Sequence, residues 1–379
     1  MTVTRRMFLR GIGAGSAALA LPMVSARGLE AALAGAGPLP GPLGIAADQV
    51  RLDSNENPYG PAPSALDEIR AMFSEACRYP DLSNEKVIDA IARHLGVPAD
   101  HILPGSGSGE ILRVAVDGFA TRQRKLVTAA PTFELPTNRA KALELPVEEV
   151  PLDSALRLDL GRMADAARGA GLVFLCNPNN PTGTVYGATA MRDTIHRILR
   201  ADPEVHVLVD EAYHEYVLDR EYATMLPLVL EEPRVIVSRT FSKVYGMAGV
   251  RIGYAVARPA TLERLRRNLL ANNINVLAAA AAWASLATPG HAEQERDKNT
   301  AARTFAIQFF RDRGYDVTPS ETNFFMVDIR RDMQEFRTAC QERGVLVGRP
   351  FPPYTTRVRI SIGTMDEMRR ATKVFEEVL

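Results

Sequence analysis

Short apolar runs alternate with segments of helical or loop character between residues 125 and 257. The runs are rich in valine, leucine and isoleucine, and they span residues 126–129, 172–176, 205–209, 235–237 and 252–256. Strands of a parallel sheet are buried on both faces, so they read as nearly continuous apolar runs of this kind. The pattern therefore predicts an α/β domain in which helices cover a largely parallel sheet.

Apolar residues at helical spacing flank this region on both sides, and the pattern changes beyond residue 262. The predicted elements are helices over 63–73, 84–95, 111–120, 262–287 and 293–313, and strands at 324–327 and 357–362. Helices followed by short strands in the last third of the chain predict a smaller α+β domain. We expect the N-terminal segment to complete that smaller domain.

The first 36 residues are predicted to be a delivery signal that lies outside the fold. Arg5 and Arg6 precede a weakly apolar run of about fourteen residues, which is too short to span a membrane as a helix. The arrangement resembles a twin-arginine signal, with a basic amphipathic arm as the alternative. We therefore expect a periplasmic or otherwise exported protein without stable membrane association after signal removal, and a cytoplasmic one if the signal is not used.

The predicted domain organisation has four parts. They are a signal peptide and lead-in (1–36), an N-terminal arm that joins the small domain (37–75), a large cofactor-binding domain (76–261) and a small C-terminal domain (262–379). A chain of 379 residues, 46% of them hydrophobic, is long enough to bury a large core of this kind.

The charge balance and the cysteine content exclude several classes of function. Forty-five basic and forty-five acidic residues give no net charge, so no general attraction to nucleic acid or to an anionic membrane is expected. The three cysteines are widely spaced and the six histidines show no metal-ligand spacing. We therefore expect neither a disulfide framework nor a metal site.

Polar side chains follow consecutive apolar runs at the point where each run ends. Asn180 lies in the loop after the second run, and Asp210 and Tyr213 come directly after the third. Ligands of parallel sheets bind beyond these carboxyl ends. Asp210 could pair with a pyridine nitrogen or cap the next helix. Asn180 and Tyr213 could bond a phenolate oxygen of the same ligand and Phe133 could stack on its ring, although Tyr213 and Phe133 could equally serve in packing.

Lys243 lies between two predicted strands, in the segment SRTFSKVYGMAGVRIG. Thr240, Ser242 and Arg251 flank it, so two hydroxyls and a guanidinium accompany one amine. Pyridoxal phosphate needs this combination, because an amine attacks its aldehyde while hydrogen-bond donors hold its phosphate. An ordinary surface loop is the alternative interpretation.

A glycine- and serine-rich segment, GSGSGE, precedes the helix predicted over 111–120. Free N–H groups at a helix start, such as those of Ser108 and Gly109, can bind an anion with the help of the helix dipole. The segment lacks the spacing of a dinucleotide-binding loop, of a P-loop and of a serine-hydrolase elbow. The segment is therefore interpreted either as a phosphate site or as a flexible turn.

Arg359 alternates with apolar residues in the segment RVRISIG. On a strand, this alternation directs its guanidinium to one face, and a buried arginine needs an anion. A substrate carboxylate fits the planar fork of an arginine. An ion pair with a nearby acid is the alternative.

Seven motifs together carry a family resemblance. They are NENPYGP, RYPD, PGSGSGEILR, NPNNPTG, DEAYHEY, SRTFSK…GVRIGY and RVRISIG, in this order along the chain. The chain from residue 52 to 379 resembles fold type I, class I/II aminotransferases, and within them the histidinol-phosphate aminotransferase-like subgroup. The resemblance implies an α/β large domain, a smaller α+β domain, pyridoxal 5'-phosphate as cofactor and a homodimer that acts on an amino acid and a 2-oxo acid.

The resemblance also implies a role for each candidate residue. Lys243 would form the Schiff base and move the proton at the substrate Cα. The other implied roles are phosphate binding (Ser108, Gly109, Thr240, Ser242, Arg251), an ion pair with the pyridine nitrogen (Asp210), bonds to the ring hydroxyl (Asn180, Tyr213), ring stacking (Phe133), binding of the substrate carboxylate (Arg359), contact with the phosphate of the partner subunit (Tyr79) and cover of the substrate (Tyr59).

One departure from the family pattern bears on the substrate. The arginine that the family places directly after a Val-x-Val strand is offset here to Arg349, in VGRPFPPY. We therefore expect a broader or different substrate than histidinol phosphate, including an aromatic amino acid. Decarboxylases, lyases and oxidases share the scaffold, and these enzymes and a non-catalytic ligand-binding protein are the alternatives.

Overall fold

The computed structural model describes residues 49–379, so the predicted signal and cleavage region lie outside the described residues. The strands are β1 (Val50–Leu52), β2 (Ile102–Gly105), β3 (Lys125–Ala130), β4 (Val147–Pro151), β5 (Ala170–Cys176), β6 (His206–Asp210), β7 (Val235–Thr240), β8 (Gly253–Val256), β9 (Asp316–Val317), β10 (Phe324–Asp328), β11 (Val345–Val347) and β12 (Arg357–Ser361). The α-helices are α1 (Pro63–Ala71), α2 (Asp81–Leu95), α3 (Ser108–Phe119), α4 (Leu135–Ala142), α5 (Leu160–Ala166), α6 (Ala188–Ala201), α7 (Leu226–Glu231), α8 (Pro259–Arg266), α9 (Val276–Leu286), α10 (His291–Asp312), α11 (Met333–Glu342) and α12 (Met365–Val378).

The central sheet has seven strands in the order β2-β8-β7-β6-β5-β3-β4. β4, β3, β5, β6 and β7 run parallel to one another, and β8 and β2 are antiparallel to their neighbours. The predicted α/β class with a mostly parallel sheet is therefore confirmed. The apolar run at 252–256 forms the antiparallel strand β8, a direction that an apolar pattern does not encode.

Alternate residues of the central strands enter two hydrophobic cores, one on each face of the sheet. Val207 and Val237 belong to the first core, whereas Leu208 and Ile236 belong to the second. All four are fully buried. Helices cover both faces, as the nearly continuous apolar runs require.

A third core lies in the C-terminal part of the chain. There β10 pairs antiparallel with β9 and β12, and β1 pairs parallel with β11. Phe310, Phe325 and Phe375 form its aromatic centre, with ring centroids 5.6 and 5.8 Å from Phe310. β1 belongs to this core, whereas Ala65 of α1 packs in the first core of the central sheet. The domain boundaries stay a prediction, because the chain from Val50 to Leu379 forms one compact unit.

The single long helix predicted over 262–287 is wrong, since α8 and α9 are separate helices. The intervening segment is irregular, and α9 begins at its own cap, where the Asn275 side chain accepts a hydrogen bond from the Ala278 N–H at 2.7 Å. An asparagine at this position satisfies an otherwise unpaired N–H at the start of a helix. Within residues 49–379 no helix is long and apolar enough to cross a membrane.

Candidate active site

A cavity of about 500 Å³ opens where β5, β6 and β7 end. This is the edge of an open α/β sheet at which ligands bind. The predicted site residues that line it are Ser108, Gly109, Phe133, Asn180, Asp210, Tyr213, Thr240, Ser242, Lys243, Arg251 and Arg359. The fold therefore brings together residues that are up to 251 positions apart in sequence, from Ser108 to Arg359.

Lys243 projects into this cavity from the connection between β7 and β8. Its Nζ donates a hydrogen bond to the backbone oxygen of Asn55 at 3.1 Å. Burial lowers the pKa of the Lys243 ammonium to about 8, and the positive charges of Arg359 and Arg251 act in the same direction. At pH 7 about a tenth of this amine is then uncharged, and the uncharged form is the one that attacks a carbonyl or takes up a proton.

Asp210 ends β6 and is 3% exposed. Its Oδ1 is buried and has no hydrogen-bond partner within residues 49–379. Burial raises the pKa of this carboxyl group to about 7, although Ser238 and the charge of Lys243 oppose the shift. An unpartnered buried carboxylate oxygen is unfavourable unless a donor or a positive charge meets it, and the N–H of a pyridinium ring supplies both.

Donors on two elements form a cradle for an anion. The first turn of α3 begins at Ser108 after Gly107, without a side-chain cap; the Glu110 N–H donates to the Gly107 oxygen at 3.2 Å, and the N–H groups of Ser108 and Gly109 are available to a ligand. Opposite them, Arg251 Nη1 lies 3.4 Å from Ser242 Oγ. Gly107 has a φ of +76°, and a Cβ there would lie 2.3 Å from Arg251 Nη2. A side chain at this position would displace the Arg251 guanidinium, and the positive φ by itself favours glycine.

Arg359 lies on β12 and is 8% exposed. Its guanidinium donates to Asn180 Oδ1 at 2.9 Å and to the Asp53 backbone oxygen at 2.5 Å, while Nε is buried without a partner in the described chain. Burial lowers the pKa of Arg359 to about 10, which leaves the group charged at neutral pH. Its partners are neutral oxygens, so within residues 49–379 the structural ion pair considered above is not formed, and a ligand carboxylate is the anion that fits.

Asn55 is a residue of this site that the sequence interpretation missed. It is 2% exposed and adopts a φ of +55°. Its Nδ2 donates to the Tyr213 hydroxyl at 3.2 Å, and its Oδ1 accepts from Ser361 Oγ at 2.8 Å. Burial raises the pKa of Tyr213, so its hydroxyl keeps its proton and can donate to a ligand. The signal was the motif NENPYGP, in which an asparagine precedes a turn.

Tyr59 and Tyr79 are not brought to the cavity. Tyr79 is 79% exposed. A residue that contacts a partner subunit is expected to be exposed in a single chain, and the role of Tyr79 stays a prediction. Tyr59 was expected over the substrate, but its ring lies against Lys298 Nζ, 4.6 Å from the ring centroid. Its backbone N–H donates to Asn57 Oδ1 at 3.1 Å, and its role over the substrate stays a prediction.

A larger depression of about 670 Å³ lies elsewhere and contains neither Lys243 nor Asp210. It is lined by His214, Glu215 and Arg239, among others. Arg239 is committed to a buried ion pair with Glu211 at 2.8 Å. Size therefore does not locate the reactive site, whereas the unpartnered carboxylate and the amine do. Within residues 49–379 no three or more His, Cys, Asp or Glu side chains are grouped so that they could hold a metal ion.

The cavity fits pyridoxal phosphate in three respects. Lys243 supplies a half-buried amine with a lowered pKa, Asp210 supplies a carboxylate oxygen without a partner, and the start of α3 with Arg251 supplies an anion cradle. These are the partners of the cofactor's aldehyde, ring nitrogen and phosphate. The residues of this chain are therefore suited to the cofactor.

Comparisons with known proteins agree with this fit. Residues 47–375 match the model of the family "Aminotransferase class I and II". Histidinol-phosphate aminotransferases of Symbiobacterium thermophilum and Moorella thermoacetica are 36% and 35% identical, covering 88% of this chain in each case and 91% and 86% of their own. The crystal structure of histidinol-phosphate aminotransferase from Sinorhizobium meliloti in complex with pyridoxal-5'-phosphate is similar, with a TM-score of 0.80, 29% identity, and coverage of 87% of this chain and 90% of that one. The chain belongs to the class I and II aminotransferase family, and it is a pyridoxal-phosphate-dependent transaminase.

Proposed function

We propose that this transaminase moves an amino group between an L-amino acid, or a histidinol-phosphate-like amine, and a 2-oxo acid by a ping-pong mechanism. The observation that carries the proposal is the position of Lys243 in one cavity with Asp210 and Arg359. Pyridoxal phosphate, when bound, supplies an electron-withdrawing ring that stabilises negative charge on the substrate carbon. Asp210 would hold the ring nitrogen, and the start of α3 with Thr240, Ser242 and Arg251 would hold the phosphate.

Lys243 and Arg359 divide the remaining tasks. Arg359 binds the substrate carboxylate and fixes the orientation of the substrate Cα. Lys243, whose pKa burial lowers to about 8, removes the proton from that carbon and returns a proton at the end of the half-reaction. A held carboxylate disfavours decarboxylation, and this separates the proposal from the main alternative among enzymes of this fold.

The substrate follows from the wall of the cavity. The relatives named above are histidinol-phosphate aminotransferases, but in this chain the offset Arg349 is bonded to Glu134 at 2.6 Å. Phe133 and Phe351 line the same cavity. We propose a broader amino-acid range than histidinol phosphate, with aromatic side chains accepted.

Half-reaction spectroscopy tests both parts of the proposal. Each amino acid of a panel, and histidinol phosphate, is added to the holoenzyme without an oxo acid while the cofactor absorbance is followed. We expect aromatic amino acids to change the absorbance and to yield the 2-oxo acid. A clear preference for histidinol phosphate would contradict the broader range, and release of CO2, ammonia or peroxide would indicate another reaction of the same cofactor.

We also propose a homodimer, in which Tyr79 reaches the cavity of the partner subunit. Tyr79, Leu82 and Phe73 are 79%, 81% and 61% exposed, which is unusual for apolar side chains on one contiguous stretch. Light scattering on the full chain measures the mass. A monomer with full activity would refute this assembly.

Export is the remaining proposal, and it rests on the sequence of the first 36 residues. Cell fractionation of the full chain, compared with a variant in which Arg5 and Arg6 are both lysine, measures it. We expect the mature chain outside the cytoplasm and the variant retained inside. Equal distribution of the two would refute a twin-arginine route.

A further inference from the structure

A second cavity, the depression of about 670 Å³, borders the segments that carry the catalytic residues. Tyr213 and Thr240 line the cavity around Lys243, whereas their sequence neighbours His214 and Arg239 line the second cavity. No described residue lines both. Neighbouring residues of a strand point to opposite faces of the sheet, so Thr240 and Arg239 place the two cavities on opposite sides of β7. The proposed reaction assigns no ligand to the second cavity.

The second cavity has acidic side chains that no cationic side chain balances. Its acidic lining residues are Glu215, Asp219 and Glu293. Within residues 49–379 none of the three forms an ion pair with a cationic side chain. The cationic lining residues already have acidic neighbours, since Arg239 pairs with Glu211 at 2.8 Å and Arg296 Nε lies 3.6 Å from Asp297 Oδ1.

The two histidines of the lining add no positive charge near neutral pH. Burial lowers the pKa of His214 to about 4. Burial and the positive charge of Arg239 also lower the pKa of His94. The lining is therefore negative, and it favours a cation over an anion.

Glu215 is the acid in this lining that lacks a counter-charge most clearly. It lies in the turn His214–Tyr216 that follows β6, and its side chain is half-buried. Its carboxylate accepts from its own backbone N–H and from no other residue within 49–379. Burial raises the pKa of this carboxyl group to about 7, although the positive charge of Arg239 opposes the shift. A carboxylate withdrawn from water is unfavourable unless a positive charge meets it.

Tyr245 is an independent indication of a ligand. It lines the second cavity two positions after Lys243, is 5% exposed, and its hydroxyl makes no hydrogen bond within residues 49–379. Burial raises the pKa of Tyr245 well above its usual range, and the negative charge of Glu215 acts in the same direction, so the two groups lie near each other. Buried hydroxyl groups usually have a partner. An ammonium group has several N–H donors and can serve both oxygens at once.

We propose that the second cavity binds a small organic cation, whose ammonium group donates to the Glu215 carboxylate and to the Tyr245 hydroxyl. The ligand class is a protonated amine without a carboxylate, because the exposed Asp219 and Glu293 repel an acid. Binding is noncovalent and takes place outside the catalytic cavity. The inference goes beyond the proposed function, and it holds whichever substrate the enzyme uses.

Calorimetric titration of the full-length holoenzyme tests the site at pH 8, where most Glu215 carboxyl groups are ionised. The probes are similar in shape, and none of them forms an imine with the cofactor. They are N,N-dimethylethanolamine (a cation with an N–H donor), choline (a cation without one) and 3,3-dimethylbutan-1-ol (a neutral molecule). A charge-assisted hydrogen bond changes affinity about tenfold or more. We therefore expect dimethylethanolamine to bind at least about tenfold tighter than the neutral alcohol, with choline between them. Equal binding of the three, or no binding of any, would overturn the inference.

Variants assign the binding to its residues. Glu215→Gln is expected to abolish the preference for the cation, and Tyr245→Phe to weaken the binding of dimethylethanolamine several-fold. Glu221→Gln is the matched control, because Glu221 lies in the chain segment after Asp219 but does not line the cavity. Thermal unfolding and cofactor absorbance verify that each variant is folded and loaded. An unchanged preference in both Glu215→Gln and Tyr245→Phe would overturn the inference, since the cation would then bind elsewhere, the catalytic cavity included.

Discussion

We expect the buried Asp210 carboxylate to lower the free energy of unfolding of the apoprotein, and this can be measured. Burial raises its pKa from the ordinary 3.8 to about 7. When the pKa of an acidic group is higher in the folded than in the unfolded protein, the folded protein loses stability as the pH rises from the unfolded pKa towards the folded pKa. About three pKa units correspond to at most about 4 kcal/mol, and we expect about 2–4 kcal/mol, because the cavity admits some water. The loss is complete above about pH 7 and absent below about pH 4.

Asp210→Asn should therefore stabilise the apoprotein and impair the holoenzyme. Urea unfolding at pH 8 should show the apo variant more stable than the apo wild type by about 2–4 kcal/mol, and the difference should vanish towards pH 4. In the holoenzyme the cofactor's ring nitrogen offsets the buried charge, so the variant should lose cofactor affinity there. We expect kcat/KM to fall at least about 100-fold.

Asp117→Asn is the matched control. Asp117 is also poorly exposed, but it accepts hydrogen bonds from Arg139 Nε at 2.6 Å and Arg113 Nη1 at 3.1 Å. Removing its charge should destabilise the apo and holo forms alike, by about 1–3 kcal/mol. If Asp210→Asn behaves like this control, or if its apo stability shows no pH-dependent gain, then Asp210 is not an uncompensated charge and our assignment of its partner fails.

Three further predictions concern the amine, the anion cradle and the missed asparagine. Burial lowers the pKa of Lys243 to about 8, so the rate of cofactor uptake by the apoprotein should rise about tenfold per pH unit below pH 7 and level off above about pH 8.5. Stopped-flow absorbance measures this rate, and a rate that does not depend on pH would contradict the prediction. Gly107→Ala places a Cβ 2.3 Å from Arg251 Nη2 and should weaken cofactor binding at least about tenfold by equilibrium titration, whereas Gly249→Ala, with open space around it, should not. Asn55→Ala removes two side-chain hydrogen bonds and should lower the free energy of unfolding by about 1–3 kcal/mol. It should also shift the cofactor absorbance, and an unchanged spectrum would show that Asn55 has no influence on the cofactor ring.

The sequence predicted the sheet and most of the site because both follow from local patterns. Asp210 and Lys243 come directly after apolar runs, and strand ends in a parallel sheet meet at one edge. For Arg359 the pattern left two partners open, a substrate or a nearby acid. Within residues 49–379 no acidic side chain pairs with the guanidinium, which donates to the oxygens of Asn180 and Asp53, and the substrate as its partner stays a prediction.

Asn55 and the break between α8 and α9 depend on features that a local pattern does not contain. Asn55 acquires its role from a left-handed backbone and from a hydrogen bond to Ser361, a residue 306 positions away. The pattern predicted one helix over 262–287 because leucine and alanine keep helical spacing in the segment between α8 and α9. The structure instead starts a new helix, α9, at the cap formed by Asn275. An asparagine is recognised as a cap in a sequence only when a helix is already expected to begin there.

The polar groups of the site are carried by elements that pack in different hydrophobic cores, so we expect the site to be sensitive to substitution of residues that touch no substrate. Lys243 and Asp210 are fixed by the central sheet, whereas Arg359 is fixed by β12 of the C-terminal core. The segment around Asn55 joins them, since its backbone oxygen accepts from both Lys243 Nζ and Asn323 Nδ2, at 3.1 and 3.0 Å. A change in this segment would move the amine and the carboxylate-binding arginine relative to each other. Because a displacement of about 1 Å can lower a rate about 100-fold, substitutions there should lower kcat and raise KM together, whereas a substitution that only weakened substrate binding would raise KM alone.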